Sequence, residues 1–245
     1  MSTAPALAFP TVVERPPIRP WSRWRAHFER NRARALPPTD TARELPPAKA
    51  AALAWSLARF QIGETGEGRI VGAVAASPMA GIDDDYRRAL ALFIEEEGRH
   101  ARILGELVDR LGGQLLTTTW TERMFVWARR LVGIRCKLLT MFAAEVIGIG
   151  FYGALGAALP PGATRRALEQ IARDERAHLR FHRRFFEIQA PNGWRRALFL
   201  VAWFLLASAA ALVVLWDHRR TLRTLGISRD RMAARLFALV REGTR

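Results

Sequence analysis

Residues 92–113, LFIEEEGRHARILGELVDRLGG, place three consecutive glutamates in a segment whose apolar residues recur at helical spacing. A helix through this segment has an apolar face carrying Phe93, Leu104 and Leu111. Stacking at i, i+4, i+7 and i+11 puts Glu97 and His100 on that face. Glu95 points to water and Glu96 lies at the border. A buried carboxylate is costly unless it is paired, hydrogen-bonded or bound to a metal, so Glu97 restricts what can enclose it. The same Glu-x-x-His signature recurs as Glu175-Arg-Ala-His178, on the face of Leu168, Ile171 and Phe185.

Each pair has a lone inward glutamate 30 residues upstream: Glu67 before Glu97 and Glu145 before Glu175 (97 − 67 and 175 − 145). The two halves are offset by 78 residues at all three positions (145 − 67, 175 − 97, 178 − 100). Histidine three residues after a glutamate sets both donors on one side of a helix, within reach of one metal ion. Two divalent ions side by side call for about four carboxylates and two imidazoles. A four-helix bundle with one Glu from each of two helices and Glu-x-x-His from the other two supplies that set. Glu64 shares the face of Glu67 and is the alternative ligand, or a proton-relay group, though it breaks the 30-residue symmetry. His182, one turn beyond His178, is either a proton relay or a packed histidine. Tyr152, two turns from Glu145, is either a redox-active phenol or core filling. Asp174 either orients a ligand imidazole or faces solvent. Glycines crowd the two lone glutamates in IGETGEG and VIGIGFYG, for close helix approach or for room beside the metal layer.

The remaining sequence is organised around these helices. From Pro47 an apolar face through Leu53, Leu57, Phe60, Val71 and Val74 predicts a helix to about Ala76. SPMAGIDDD breaks it, with Asp83 as N-cap of the next helix, which Gly112-Gly113 ends. TTTWTERMFVWARRLVG reads as a separate crossover helix ending near Gly133. Two more helices follow, ended by Pro160-Pro161-Gly162 and by Pro191-Asn192-Gly193. No period-two alternation occurs, so the expected class is all-α: a four-helix bundle with a crossover helix and additional C-terminal helices. Residues 1–46 form a flexible Pro/Arg-rich arm, 47–188 the bundle and 189–245 a C-terminal helical extension. Within the arm, a short basic helix would carry Trp21, Trp24 and Phe28 on one face, docking on a membrane surface or on its own domain.

Residues 197–216, ALFLVAWFLLASAAALVVLW, are 20 without a charge, long enough to span a bilayer. Arginines lie on both sides, which leaves no inside/outside bias. The small residues Ala207–Ala211 equally suit packing on the bundle or on a second copy in a homodimer. The net charge of +15, with 36 of 38 basic residues arginine, favours anionic partners such as a membrane leaflet. No nucleic-acid module is present, so no nucleic-acid partner is expected. Cys136, the only cysteine, reads as a small buried residue in a reducing compartment. No secretory signal is seen in the arm, and the expected location is the cytoplasm, with membrane association on the cytoplasmic face.

With these residues in view, positions 47–188 resemble the ferritin-like di-iron superfamily, which includes rubrerythrins, ribonucleotide reductase small subunits and demethoxyubiquinone hydroxylases. The resemblance implies Glu97 and Glu175 as bridging ligands, Glu67 and Glu145 as terminal carboxylates, and His100 and His178 as terminal imidazoles. It implies two iron ions, with manganese or a mixed Mn/Fe pair as alternatives. The expected function is activation of dioxygen or peroxide to oxidise an organic, lipid-soluble small-molecule substrate. The chain has no Cys-x-x-Cys pair, so an external electron donor is required. The alternatives are a ferroxidase or iron-handling protein, and a rubrerythrin-like peroxidase or manganese catalase. Histidine in both halves separates the chain from storage ferritins.

Overall fold

The computed structural model describes residues 20–37, 45–65, 69–120 and 133–244. They form helices α1 (Pro20–Arg32), α2 (Pro47–Thr65), α3 (Arg69–Ala75), α4 (Asp84–Arg110) and α5 (Ile134–Ala158). α6 (Ala163–Gln189), α7 (Gly193–Asp217), α8 (Arg219–Thr224) and α9 (Arg229–Glu242) complete the chain. Among the described residues there is no strand, and the fold is all-helical. Local chemistry sets the boundaries. The Asp83 side chain accepts from the Tyr86 backbone N–H at 2.9 Å and caps α4, with Asp84 and Asp85 in the first turn against the helix dipole. Gly112, at φ 71°, ends the same helix in the left-handed region that glycine adopts without strain.

α2 with α4, and α5 with α6, pack as antiparallel pairs. Gly113 lies against Ala54, joining the end of α4 to the start of α2. On α5 and α6, Gly156 approaches Leu168, Gly148 approaches Glu175, and Phe142 stacks on Phe186, so the pair descends in opposite directions. Two apolar clusters fill the interior. One holds Phe93, Phe142, Phe181 and Trp203, the other Leu57, Leu104, Phe151 and Leu168. The Glu/His residues of α4 and α6 lie between them, so burial on both sides is what closes the polar layer from water.

α1 falls in the stretch expected to be a flexible arm and packs on α4. Trp21 and Phe28 are buried, and the Trp21 indole donates to the Gly81 carbonyl at 2.6 Å. α7 folds back on the bundle through Trp203, which stacks on Phe142 at 4.1 Å and donates to the Val240 carbonyl at 2.8 Å. Its other side carries a stripe of exposed large apolar residues: Trp194, Leu198, Val201, Leu205, Leu212 and Trp216. Two described helices, α5 and α7, are long and apolar enough to cross a membrane; α5 is mostly buried inside the bundle, whereas α7 is not. Cys136 corrects an expectation: it is exposed, because it sits in the first turn of α5 where the helix emerges from the bundle. The expected crossover helix falls largely on residues 121–132, outside the described residues, as do residues 66–68 between α2 and α3.

Candidate metal centre

Antiparallel α4 and α6 bring the two Glu-x-x-His pairs face to face. One ligand atom from each of Glu97, His100, Glu175 and His178 lies within 4.8 Å of the others, and all four residues are buried. His178 Nδ1 is 2.8 Å from Glu97 Oε1 and 3.2 Å from Glu175 Oε2, and His100 Nδ1 is 3.2 Å from Glu175 Oε1. Yet Glu97 Oε1, Glu175 Oε1 and His100 Nδ1 have no hydrogen-bond partner. Their separations suit hydrogen bonds, but their directions do not. Buried lone pairs that converge without pointing at one another are satisfied by a cation between them. The donor set of carboxylates and imidazoles could therefore hold a metal ion.

The other nitrogen of each histidine is also held. His100 Nε2 lies 3.4 Å from Asp174 Oδ2, and His178 Nε2 lies 3.1 Å from Glu96 Oε2. Both acids are buried. An acid on the far nitrogen fixes tautomer and ring orientation and leaves Nδ1 as the donor to a metal. Arg34, just past α1, pairs with Glu96 at 3.3 Å and with Asp174, so one guanidinium joins the two supports. The Arg99 guanidinium donates to the carbonyls of Asn31 and Arg34, which anchors this stretch over the site. Glu96 was expected at the border, and Asp174 had two readings. The overlooked signal was the repeat itself, since 96 and 174 differ by the same 78 residues (174 − 96). Glu95 does face water, paired with Arg32 at 2.9 Å.

α5 contributes Glu145, buried, with Oε2 3.5 Å from His178 Nδ1 and Oε1 3.5 Å from His182 Nε2. α2 contributes Glu64, which accepts from the Tyr152 hydroxyl at 2.6 Å and neighbours Glu97. Glu67 lies outside the described residues. Tyr152 is buried, and its hydroxyl ties it to the acidic layer. His182 is fully buried among Phe93, Phe142 and Phe181, and neither ring nitrogen has a hydrogen-bond partner. Burial, and next the neighbouring His178, push it down to about 3, so it is neutral.

The charge balance of the layer is consistent with a cation site. Burial, then the adjacent Glu175, raises Glu145 well above the usual carboxylate range; burial, then Glu97, does the same to Glu64. Burial also acts against ionised Glu175, but hydrogen bonds with Glu145, His100 and His178 hold it well below that range. Glu145 and Glu175 thus share a proton that resides on Glu145. His100 is raised to about 10: burial lowers it, and Asp174 and Glu175 outweigh burial. Protons stand where dications could, and metal binding would release them.

The glycines serve both expected purposes. A Cβ on Gly148 would meet Glu175 Cγ at 3.2 Å, so this glycine lets α6 bring its carboxylate against α5. Gly63 has nothing within 4 Å of its Cβ position and lines a cavity of about 160 Å³. Glu64, Glu97, Glu145 and Glu175 also line that cavity, together with Phe60, Tyr152 and His218. No protein-family model, curated protein or solved structure matches the chain.

Proposed function

We propose that the chain is a ferritin-like di-iron carboxylate oxidoreductase that activates dioxygen to oxidise a small organic molecule held in the cavity beside the metal layer. The observation that carries the reading is the convergence of unpartnered, buried Glu97 Oε1, Glu175 Oε1 and His100 Nδ1 next to a mostly apolar cavity. In this reading Glu97, Glu175, His100, His178 and Glu145 would hold the ions. Glu64 is the α2 carboxylate, because its side chain meets Glu97 and Tyr152. Iron held there would supply electrons and a binding place for dioxygen.

The chain's own residues do the rest. Asp174 and Glu96 hold the imidazoles through Nε2. Phe93, 4.6 Å from the His178 ring, and Phe28, 5.8 Å from it, keep water from one side of the layer. Tyr152 and Glu64 hold a proton at the cavity wall, within reach of a bound molecule. An external donor restores the electrons.

The proposal extends to where the substrate comes from. The exposed stripe of α7 runs from Trp194 to Trp216, about 33 Å of helix. Arg195 stacks over Trp194 at 5.7 Å and Arg219 over Trp216 at 4.5 Å. Apolar residues between arginine-capped tryptophans suit an anionic lipid surface on which α7 lies in plane. Its buried side, through Ala210 and Val214, lines the same cavity.

The test is to load purified protein anaerobically with two equivalents of Fe(II), then admit air while recording dioxygen uptake and the visible spectrum. The proposal requires rapid uptake and new charge-transfer absorption, both lost in Glu97→Ala. Uptake no faster than that of free Fe(II) in buffer would reject it. Oxidation with retention of ferric mineral would turn the reading to iron handling.

A further inference from the structure

The cavity ends in a polar group that the metal layer does not use. His218, just past the end of α7, is buried, yet it lines the cavity against Phe60, which lies one turn of α2 before Glu64. Its ring stacks on Phe60 at 5.1 Å, Phe60 lies 5.2 Å from Tyr152, and the Tyr152 hydroxyl reaches Glu64 at 2.6 Å. These rings order the cavity from the metal layer to His218.

Counting protons fixes the His218 tautomer. Thr221 Oγ1 gives its one proton to the Ala52 carbonyl at 3.0 Å, an oxygen that can only accept. Ser56 Oγ must then donate to Thr221 Oγ1, 2.8 Å away. The remaining contact, 2.7 Å between Ser56 Oγ and His218 Nδ1, requires the proton to be on Nδ1. Burial, with Arg59 adding to it, pushes His218 down to about 3, so the ring carries that proton alone. Nε2 is left as a bare acceptor. Asp217 Oδ2, another acceptor, lies 3.8 Å from it and is itself paired with Arg59 Nε at 3.5 Å. Nε2 faces this cavity with no hydrogen bond to it among the described residues, and such an acceptor suits a ligand's proton.

We infer that His218 is the substrate-orienting hydrogen-bond acceptor of this cavity, and that the cavity takes a ring-sized, mostly apolar molecule carrying one O–H or N–H donor. The inference rests on the proposed function in treating the cavity as the substrate site. Its size agrees: about 160 Å³ is close to the engineered apolar cavities of about 150 Å³ that bind benzene. The rings of Phe60 and Tyr152 supply flat walls. Gripping the donor at Nε2 turns the opposite edge of the ring toward Glu64, Glu97 and Glu145. His218 is therefore a specificity residue that sets which atom of the substrate faces the metals.

The experiment compares 4-fluorophenol with 4-fluorotoluene, equal in shape but differing in the donor, by fluorine NMR titration of metal-free and metal-loaded protein. Wild type should prefer the phenol, and His218→Leu should reduce the phenol-to-toluene ratio by about tenfold, the worth of one hydrogen bond to an otherwise unpaired group. Ser56→Ala keeps the ring and frees the tautomer, so it should reduce the same ratio even if the leucine variant misfolds. Equal binding of the two probes, binding of neither, or a preference that survives both substitutions overturns the inference. Failure of metal binding with the preference intact would remove the oxidoreductase reading and leave this site standing.

Discussion

Replacing Glu145 by Gln should stabilise the metal-free protein while weakening its metal binding. Glu145 is 4% exposed, and burial followed by the neighbouring Glu175 raises it well above its ordinary 4.5. The folded chain then keeps a proton that the unfolded chain releases above pH 4.5. A group of this kind supports folding fully below its unfolded value, and that support is lost as pH rises toward its folded value. Each pH unit in that window costs up to about 1.4 kcal/mol. Between 4.5 and neutrality the ceiling is about 3 kcal/mol. Glutamine keeps the shape and removes the titration, so it should recover much of this at pH 7. For a chain of this length that corresponds to a melting temperature higher by roughly 5–10 °C. The assay is thermal and urea unfolding of metal-free wild type and Glu145→Gln from pH 5 to 8, repeated with Co(II) or Fe(II). The variant should gain stability at pH 7 over wild type, show a flatter pH slope, and gain less from metal. A variant that is less stable at pH 7, with the wild-type pH slope, would refute the shared-proton argument.

Three other outcomes follow from the geometry. Asp174→Asn removes the charge behind His100 and should weaken metal binding 10- to 100-fold in competition titrations, with the helical content of the circular dichroism spectrum unchanged. Gly148→Ala pushes on Glu175 Cγ at 3.2 Å and should cost roughly 1–3 kcal/mol, whereas Gly63→Ala, with open space at its Cβ, should not destabilise and should reduce probe binding in the cavity. Leu198→Glu with Leu205→Glu, both exposed on α7, should abolish sedimentation with anionic vesicles while leaving the melting temperature within a few degrees.

Helical spacing alone located the layer. Glu97, His100, Glu175 and His178 converge because period-3.6 stacking puts each pair on a buried face, and that periodicity is written locally in the chain. What escaped depends on how helices meet. Glu96 sits between two faces of α4, and only the approach of α6 with His178 Nε2 decides that it is inside. Arg34 comes from a stretch with no sustained periodicity, and its role arises because Arg99 pins the backbone there. Cys136 was misplaced because a small residue's burial depends on where its helix leaves the bundle. The uncharged run of α7 was ambiguous for a physical reason: one side packs through Trp203 and Ala207, while the other stays exposed, and composition cannot distinguish sides. The cavity was hinted at by the glycines, but His218 lies far along the chain in a region with no repeat to flag it.

The central claim is that the Glu/His layer holds a pair of metal ions, and the direct measurement is metal content per chain. Wild type purified and reconstituted with Fe(II) under argon, then freed of loosely bound ions, should retain two ions per chain by mass spectrometry. The Glu97→Ala, Glu175→Ala double variant should retain none. Less than one ion per chain in correctly folded wild type, or equal content in the double variant, would contradict the account.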